Sequence, residues 1–278
     1  MTTTAAARPR PALLAGHWQE YAIEAGLLGT FMVSACLFST LLFHPSSPVP
    51  ALVPDPFLRR VLMGLAMGGT AIMLNYSPWG KQSGAHYNPI VTLTFTRLGK
   101  IAPRDAAMYM AAQFAGSVLG VLLAAAALGE LLADSSVHYA VTRPGPSGTG
   151  LAFLGEAVIS GILMTVVLEV SNRPRIASLT GACAGLLVAV FITFEAPISG
   201  MSMNPARTVG SAVWAQDWTA VWLYFAAPAV GMLGAAELYL RRRGRGAVFC
   251  AKLHHDNDKR CIHCEYRAAR QGSSAASL

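Results

Sequence analysis

Two stretches decide how this chain folds: Ser83-Gly84-Ala85-His86-Tyr87-Asn88-Pro89-Ile90 and Ser199-Gly200-Met201-Ser202-Met203-Asn204-Pro205-Ala206-Arg207. Both read Ser-Gly-x-x-x-Asn-Pro. Asparagine is a favoured helix N-cap, and proline suits the first helical turn, where its missing N–H costs nothing. Ile90 to Arg97 and Ala206 to Trp214 follow, helical in pattern but too short to cross a bilayer. Each motif therefore predicts a half-helix that starts at mid-membrane.

Around these motifs, six apolar runs are long enough to span hydrocarbon: Trp18 to Phe43, Phe57 to Asn75, Asp105 to Leu128, Leu151 to Val170, Ile176 to Phe194 and Thr219 to Leu240. Of 278 residues, 54% are hydrophobic and 13% charged, about half the charged share of a soluble domain. The first run is too long for a signal peptide and lacks its flanking pattern. Each half, about 18–130 and 151–240, reads span, span, motif, span, with Glu24 and Glu156 in its first span. An odd number of crossings puts the two copies in opposite orientations, an inverted repeat. The glycine-bearing backbone 83–87 and 199–203 must be non-helical at membrane depth, which is tolerated only inside protein or beside a watery cavity. The expectation is an all-α membrane protein of six transmembrane helices and two re-entrant half-helices around a polar path.

The net charge of +7 gathers at one end. Arg241, Arg242, Arg243, Arg245, Lys252, Lys259, Arg260, Arg267 and Arg270 face only Asp256, Asp258 and Glu265 in the tail. Basic residues beside a last span fit the positive-inside rule and anionic lipid better than nucleic acid. Arg8, Arg10, Lys81, Arg97, Lys100, Arg104, Arg173 and Arg175 fall on the same side, with Arg59 and Arg60 as the exception. The chain is expected in the plasma (inner) membrane with both termini cytoplasmic, residues 1–17 and 241–278 forming the tails of a channel domain at 18–240.

The paired Asn-Pro signatures, Ser-Gly-Ala-His before the first and Asn-Pro-Ala-Arg in the second, resemble those of the aquaporins and glycerol facilitators. Ile90 departs from the alanine usual there. The resemblance implies a passive channel, not an enzyme, for water and small uncharged solutes, usually homotetrameric with one pore per protomer and without a cofactor for transport. It places Asn88 and Asn204 side by side at the pore centre, with Pro89, Ile90, Pro205 and Ala206 opening the half-helices. It makes Glu24 and Glu156 acceptors that hold the re-entrant backbone, and His86 a loop buttress or, alternatively, a gate. In such channels an arginine and the positive ends of half-helices exclude cations and protons.

Resemblance also implies an outer constriction of Arg207, Ile192, Met201 and either Met67 or Gly68, the last choice left open by the loop Ser77 to Gln82. Strict water channels usually carry histidine where Ile192 stands, and glycerol facilitators carry aspartate where Thr208 stands. Glycerol, hydrogen peroxide, ammonia and neutral metalloid hydroxides therefore join water as candidate solutes. The rival of another class is an ion-coupled secondary transporter, which inverted repeats also build.

In the tail, Cys250, His254, Cys261 and Cys264 make a Cys3His set that tetrahedral zinc accepts. Either zinc folds this segment locally, or the segment remains an unstructured basic tail.

Overall fold

Six helices long and apolar enough to cross a membrane form in the computed structural model, which describes residues 16–255 and 257–264. Arg8, Arg10, Asp256, Glu265, Arg267 and Arg270 lie outside the described residues, as do residues 1–15 of the expected N-terminal tail. The long and half-length helices are α1 Trp18–Phe43, α2 Pro56–Tyr76, α3 Pro89–Arg97, α4 Pro103–Leu128, α5 Gly148–Ser171, α6 Thr180–Phe194, α7 Pro205–Ala215 and α8 Leu223–Arg243. Helices α3 and α7 are the re-entrant halves, and a 3-10 turn, Ala177–Leu179, leads into α6. Proline opens α2, α3, α4 and α7, where an N–H would lack an intrahelical partner anyway. The last span starts at Leu223 rather than Thr219, because Asp217 accepts from the Thr219 N–H at 3.0 Å and Ala220 takes a φ of +50°, which holds a turn there.

The helices pair as the repeat demands: α1 with α4, α5 with α8, and α2 with α6 where the halves meet. Lipid removes most of the hydrophobic drive between helices, so association depends on close backbone approach at small residues. A Cβ on Gly116 would lie 2.1 Å from Ala25 O, and one on Gly231 would lie 2.1 Å from Ala157 O. These are equivalent crossings in the two halves. Between the halves, a Cβ on Gly68 would stand 2.6 Å from Gly185 O. Leu65, Leu119, Leu123, Leu154, Leu186 and Val230 remain exposed on the outside of the bundle, as a lipid-facing surface requires. Arg260 Nη1 donates to Gly16 O at 3.1 Å, so the two ends of the described chain meet at one end of the bundle.

Candidate functional site

The two re-entrant loops are copies down to their hydrogen bonds. Glu24 accepts from Ser83 Oγ at 2.7 Å and from the backbone N–H groups of His86 and Tyr87 at 3.1 and 2.6 Å. Glu156 accepts from Ser199 Oγ at 2.9 Å and from the N–H groups of Ser202 and Met203 at 2.6 and 2.7 Å. Both carboxylates are fully buried, and each offers several acceptor lone pairs to these donors. Gly84 and Gly200 sit at φ +104° and +84°, and Ala85, Tyr87, Met201 and Met203 also take positive φ. Such backbone is costly for residues other than glycine and persists only where its surroundings over-determine it. Here the glutamates do so, helped by Tyr109 and Tyr224, whose hydroxyls donate to Ser83 O and Ser199 O at 2.8 and 2.5 Å.

At the tips the loops meet. Asn88 Oδ1 accepts from the Ile90 N–H at 2.9 Å, and Asn204 Oδ1 accepts from the Ala206 and Arg207 N–H groups at 3.1 and 3.2 Å. With each oxygen held by its own helix, each NH2 group must point away. Asn88 Nδ2 donates to Met203 O and Asn204 Nδ2 to Tyr87 O, both at 2.8 Å. An amide nitrogen carries two hydrogens, so this exchange leaves one N–H on each side available to another oxygen.

An elongated cavity of about 490 Å³ passes this junction. Leu253 stands at the end that carries the termini, Arg59, Arg60 and Pro197 at the other, and Asn88, Asn204 and the loops 85–88 and 200–204 between. Arg207, Ile192, Met201 and Met67 all line it. Gly68 does not: it faces the α2/α6 crossing, where Gly185 and Ala189 leave no room for a Cβ, so of the two second-span residues only Met67 lines the cavity. Met63, one turn away on α2, joins it. Arg207 Nη1 is buried without a hydrogen-bond partner among the described residues, a donor still to be satisfied.

His86 is buried and linked on both sides. Its Nε2 lies 2.8 Å from Ala251 O, which can only accept, so Nε2 donates and Nδ1 accepts from Thr92 Oγ1 at 3.1 Å. Gln113 supports the same cluster, donating to Glu24 at 2.7 Å and to Thr92 at 3.1 Å. Gln113 and Thr92, the counterpart of Thr208 in the first copy, escape a motif-based reading. The available signal was a glutamine in the middle of an apolar span.

The tail lies under this loop rather than apart from the bundle. Val248, Ala251 and Leu253 join the buried apolar cluster that includes Ile90, Val91 and Phe95. Cys250, His255, Cys261 and Cys264 bring their ligand atoms within 4.8 Å of one another. His255 therefore replaces His254 in the expected set; the His254 ring turns to Tyr76, edge to face at 6.0 Å. Neighbouring thiols of Cys250 and Cys264 hold the Cys261 thiol far below its usual range. Burial, with His86 adding to it, pushes the His263 imidazole down to about 4, and burial also lowers the Lys252 ammonium.

Residues 18–239 match the family described as major intrinsic protein. The chain is 40% identical over 173 residues to Aquaporin NIP1-3 of Oryza sativa subsp. japonica, a match covering 62% of this chain and 58% of that protein, under two thirds of its length. It is 32% identical over 227 residues to Aquaporin NIP2-3 of Zea mays, covering 81% of this chain and 73% of that one. Among solved structures, the aquaglyceroporin from Plasmodium falciparum superposes with a TM-score of 0.65 at 23% identity, over 80% of this chain and 95% of that one, a likeness of fold.

Proposed function

The chain belongs to the major intrinsic protein family, and from that premise we propose that it is a passive channel for water and small uncharged solutes. The observation that carries the reading is the reciprocal pair Asn88 Nδ2 to Met203 O and Asn204 Nδ2 to Tyr87 O, with both asparagines lining a cavity whose wall runs from Arg59 and Arg60 to Leu253. On this reading the remaining N–H of each asparagine donates to a passing oxygen. Both half-helix N-termini converge there, each with about half an elementary positive charge, and Arg207 adds a full one. Cations and hydrated protons meet repulsion, while a neutral hydroxyl gains donors.

Met67, Ile192, Met201 and Arg207 form the constriction on this reading, an apolar rim with one cation. Such a rim favours a range wider than water, with glycerol, hydrogen peroxide, ammonia and neutral metalloid hydroxides as the candidates. Glu24 and Glu156 are committed to loop N–H groups, which speaks against either serving as an ion-coupling carboxylate. The protein works as a homotetramer with one pore per protomer, in the plasma (inner) membrane, both termini cytoplasmic beside Lys81, Arg97, Arg173 and Arg241. Transport needs only the pore's own residues, and the cysteine–histidine cluster beneath it bears on control.

Flux measured in proteoliposomes against solute concentration tests the proposal. Flux rising in proportion to the gradient, indifferent to an imposed pH difference, is the expected result. Saturation or acceleration by a proton gradient would instead assign an ion-coupled transporter.

A further inference from the structure

The segment following α8 carries a set of chemical groups that permeation does not use. Cys250, His255, Cys261 and Cys264 converge with ligand atoms all within 4.8 Å. Their sulfurs stand 3.5 Å apart for Cys250 and Cys261, and 3.1 Å for Cys250 and Cys264. Four ligands about 2.3 Å from a central zinc have neighbours about 3.8 Å apart, so this spacing lies close to a tetrahedral shell and far from a bonded disulfide. The Lys252 N–H points at Cys250 Sγ from 3.5 Å, and the Cys264 N–H closes a tight turn onto Cys261 O at 3.2 Å. Buried Lys252 ties the two arms together, Nζ donating to Lys259 O and Arg260 O at 3.1 and 2.7 Å. Three thiols and an imidazole select a soft or borderline cation over magnesium or calcium.

The place where this segment sits gives the cluster a consequence. Its backbone is tied to the first re-entrant loop through Leu253 N–H to Gly84 O at 3.3 Å and His86 Nε2 to Ala251 O at 2.8 Å. It is tied to the second half through Phe249 N–H to Asn172 Oδ1 at 2.7 Å. The His263 ring stacks on His86 at 6.3 Å and 4°. The segment thus bridges both halves at the mouth, and Leu253 enters the cavity wall. A stretch this short has too little apolar surface of its own to stay folded, and in such segments metal binding supplies the folding energy.

We propose that Cys250, His255, Cys261 and Cys264 bind zinc, and that residues 248–255 and 257–264, folded by that ion, plug the cytoplasmic mouth of the pore so that metal occupancy sets flux. The second half of the proposal rests on the channel reading; the first does not. Zinc loss frees Leu253 and Ala251 from the mouth and opens it. Zinc binding closes it.

The experiment uses full-length protein purified without a histidine tag. Zinc content by elemental mass spectrometry is expected at about one ion per protomer, and near background in Cys261→Ser/Cys264→Ser. Osmotic flux in proteoliposomes is expected to rise several-fold when a membrane-permeant chelator strips the wild type and to fall again when zinc returns. The double variant is expected to be open and indifferent to either treatment. Leu253→Ala is expected to keep its zinc and still leak, which separates plugging from folding. Background zinc in the loaded wild type, or a disulfide among these cysteines in its place, overturns the metal site. Bound zinc with flux unchanged by stripping overturns the plug and leaves the channel standing. Flux no greater than that of empty liposomes in stripped wild type, double variant and Leu253→Ala alike overturns the channel reading and the plug with it, while zinc content still judges the metal site.

Discussion

The two re-entrant loops are the same device built twice, and what separates them is what lies over each. Loop 83–88 and loop 199–204 share a buried glutamate, a serine hydroxyl, a left-handed glycine and a tyrosine that closes the turn. Over Gly84 comes Lys252 of the tail, whose Cα would lie 3.2 Å from an added Cβ; over Gly200 comes the connector between the halves, with Arg143 N at 2.9 Å. The residue after Asn-Pro-x differs as well, Val91 in the first copy and Arg207 in the second. The shared parts hold the loops in place, and the unshared parts give the two mouths different tasks. On the proposed reading one mouth selects by the charge of Arg207, and the other is covered by the tail.

The largest expected effect tests the shared part. Glu24→Ala orphans four donors, including Gln113 Nε2, and Glu156→Ala three; each buried orphan costs about 1–3 kcal/mol. Thermal unfolding in detergent should show both far below the parent, with Glu24→Ala lower. A milder result for Glu24→Ala than for Glu156→Ala would break the symmetry. Next, Gly116→Val and Gly231→Val should destabilise to similar degrees, by about 1–3 kcal/mol or more, since each drives a Cβ into an opposing carbonyl at the same 2.1 Å. Unequal denaturation midpoints would mean that the crossings are not equivalent.

Arg207→Ala removes a difference between the copies. Proton leak, read with a pH dye inside liposomes, should rise several-fold while osmotic flux persists; an unchanged leak would take exclusion away from Arg207. The smallest effect belongs to Ile192→His, which narrows the rim and adds a polar contact. Its glycerol-to-water permeability ratio should fall, and a ratio that stays put would leave Ile192 as packing alone.

Much of this was legible in the chain itself. A cap-and-proline motif repeated after two spans allows few arrangements, because half-helices that start at mid-membrane must bury their tips together. Counting residues along α2 could not choose between Met67 and Gly68, since one position turns the side chain by about 100° around a helix. The pairs Gly64 and Gly68, and Gly181 and Gly185, spaced as small-x-x-x-small, were the readable sign that this face belongs to a helix crossing. The adjacent histidines posed the same problem without a helix to help. His254 and His255 point to different neighbours because an irregular segment has no period, and its docking under Gly84 depends on contacts far away in sequence. Gln113 was hidden for a related reason: its partner Glu24 sits 89 residues away.

Whether a continuous wet passage runs through the paired asparagines is read from the temperature dependence of osmotic water flow. With zinc stripped from reconstituted protein, flow should run well above that of bare liposomes with an activation energy near that of water's own diffusion. A temperature dependence as steep as that of protein-free lipid would contradict it.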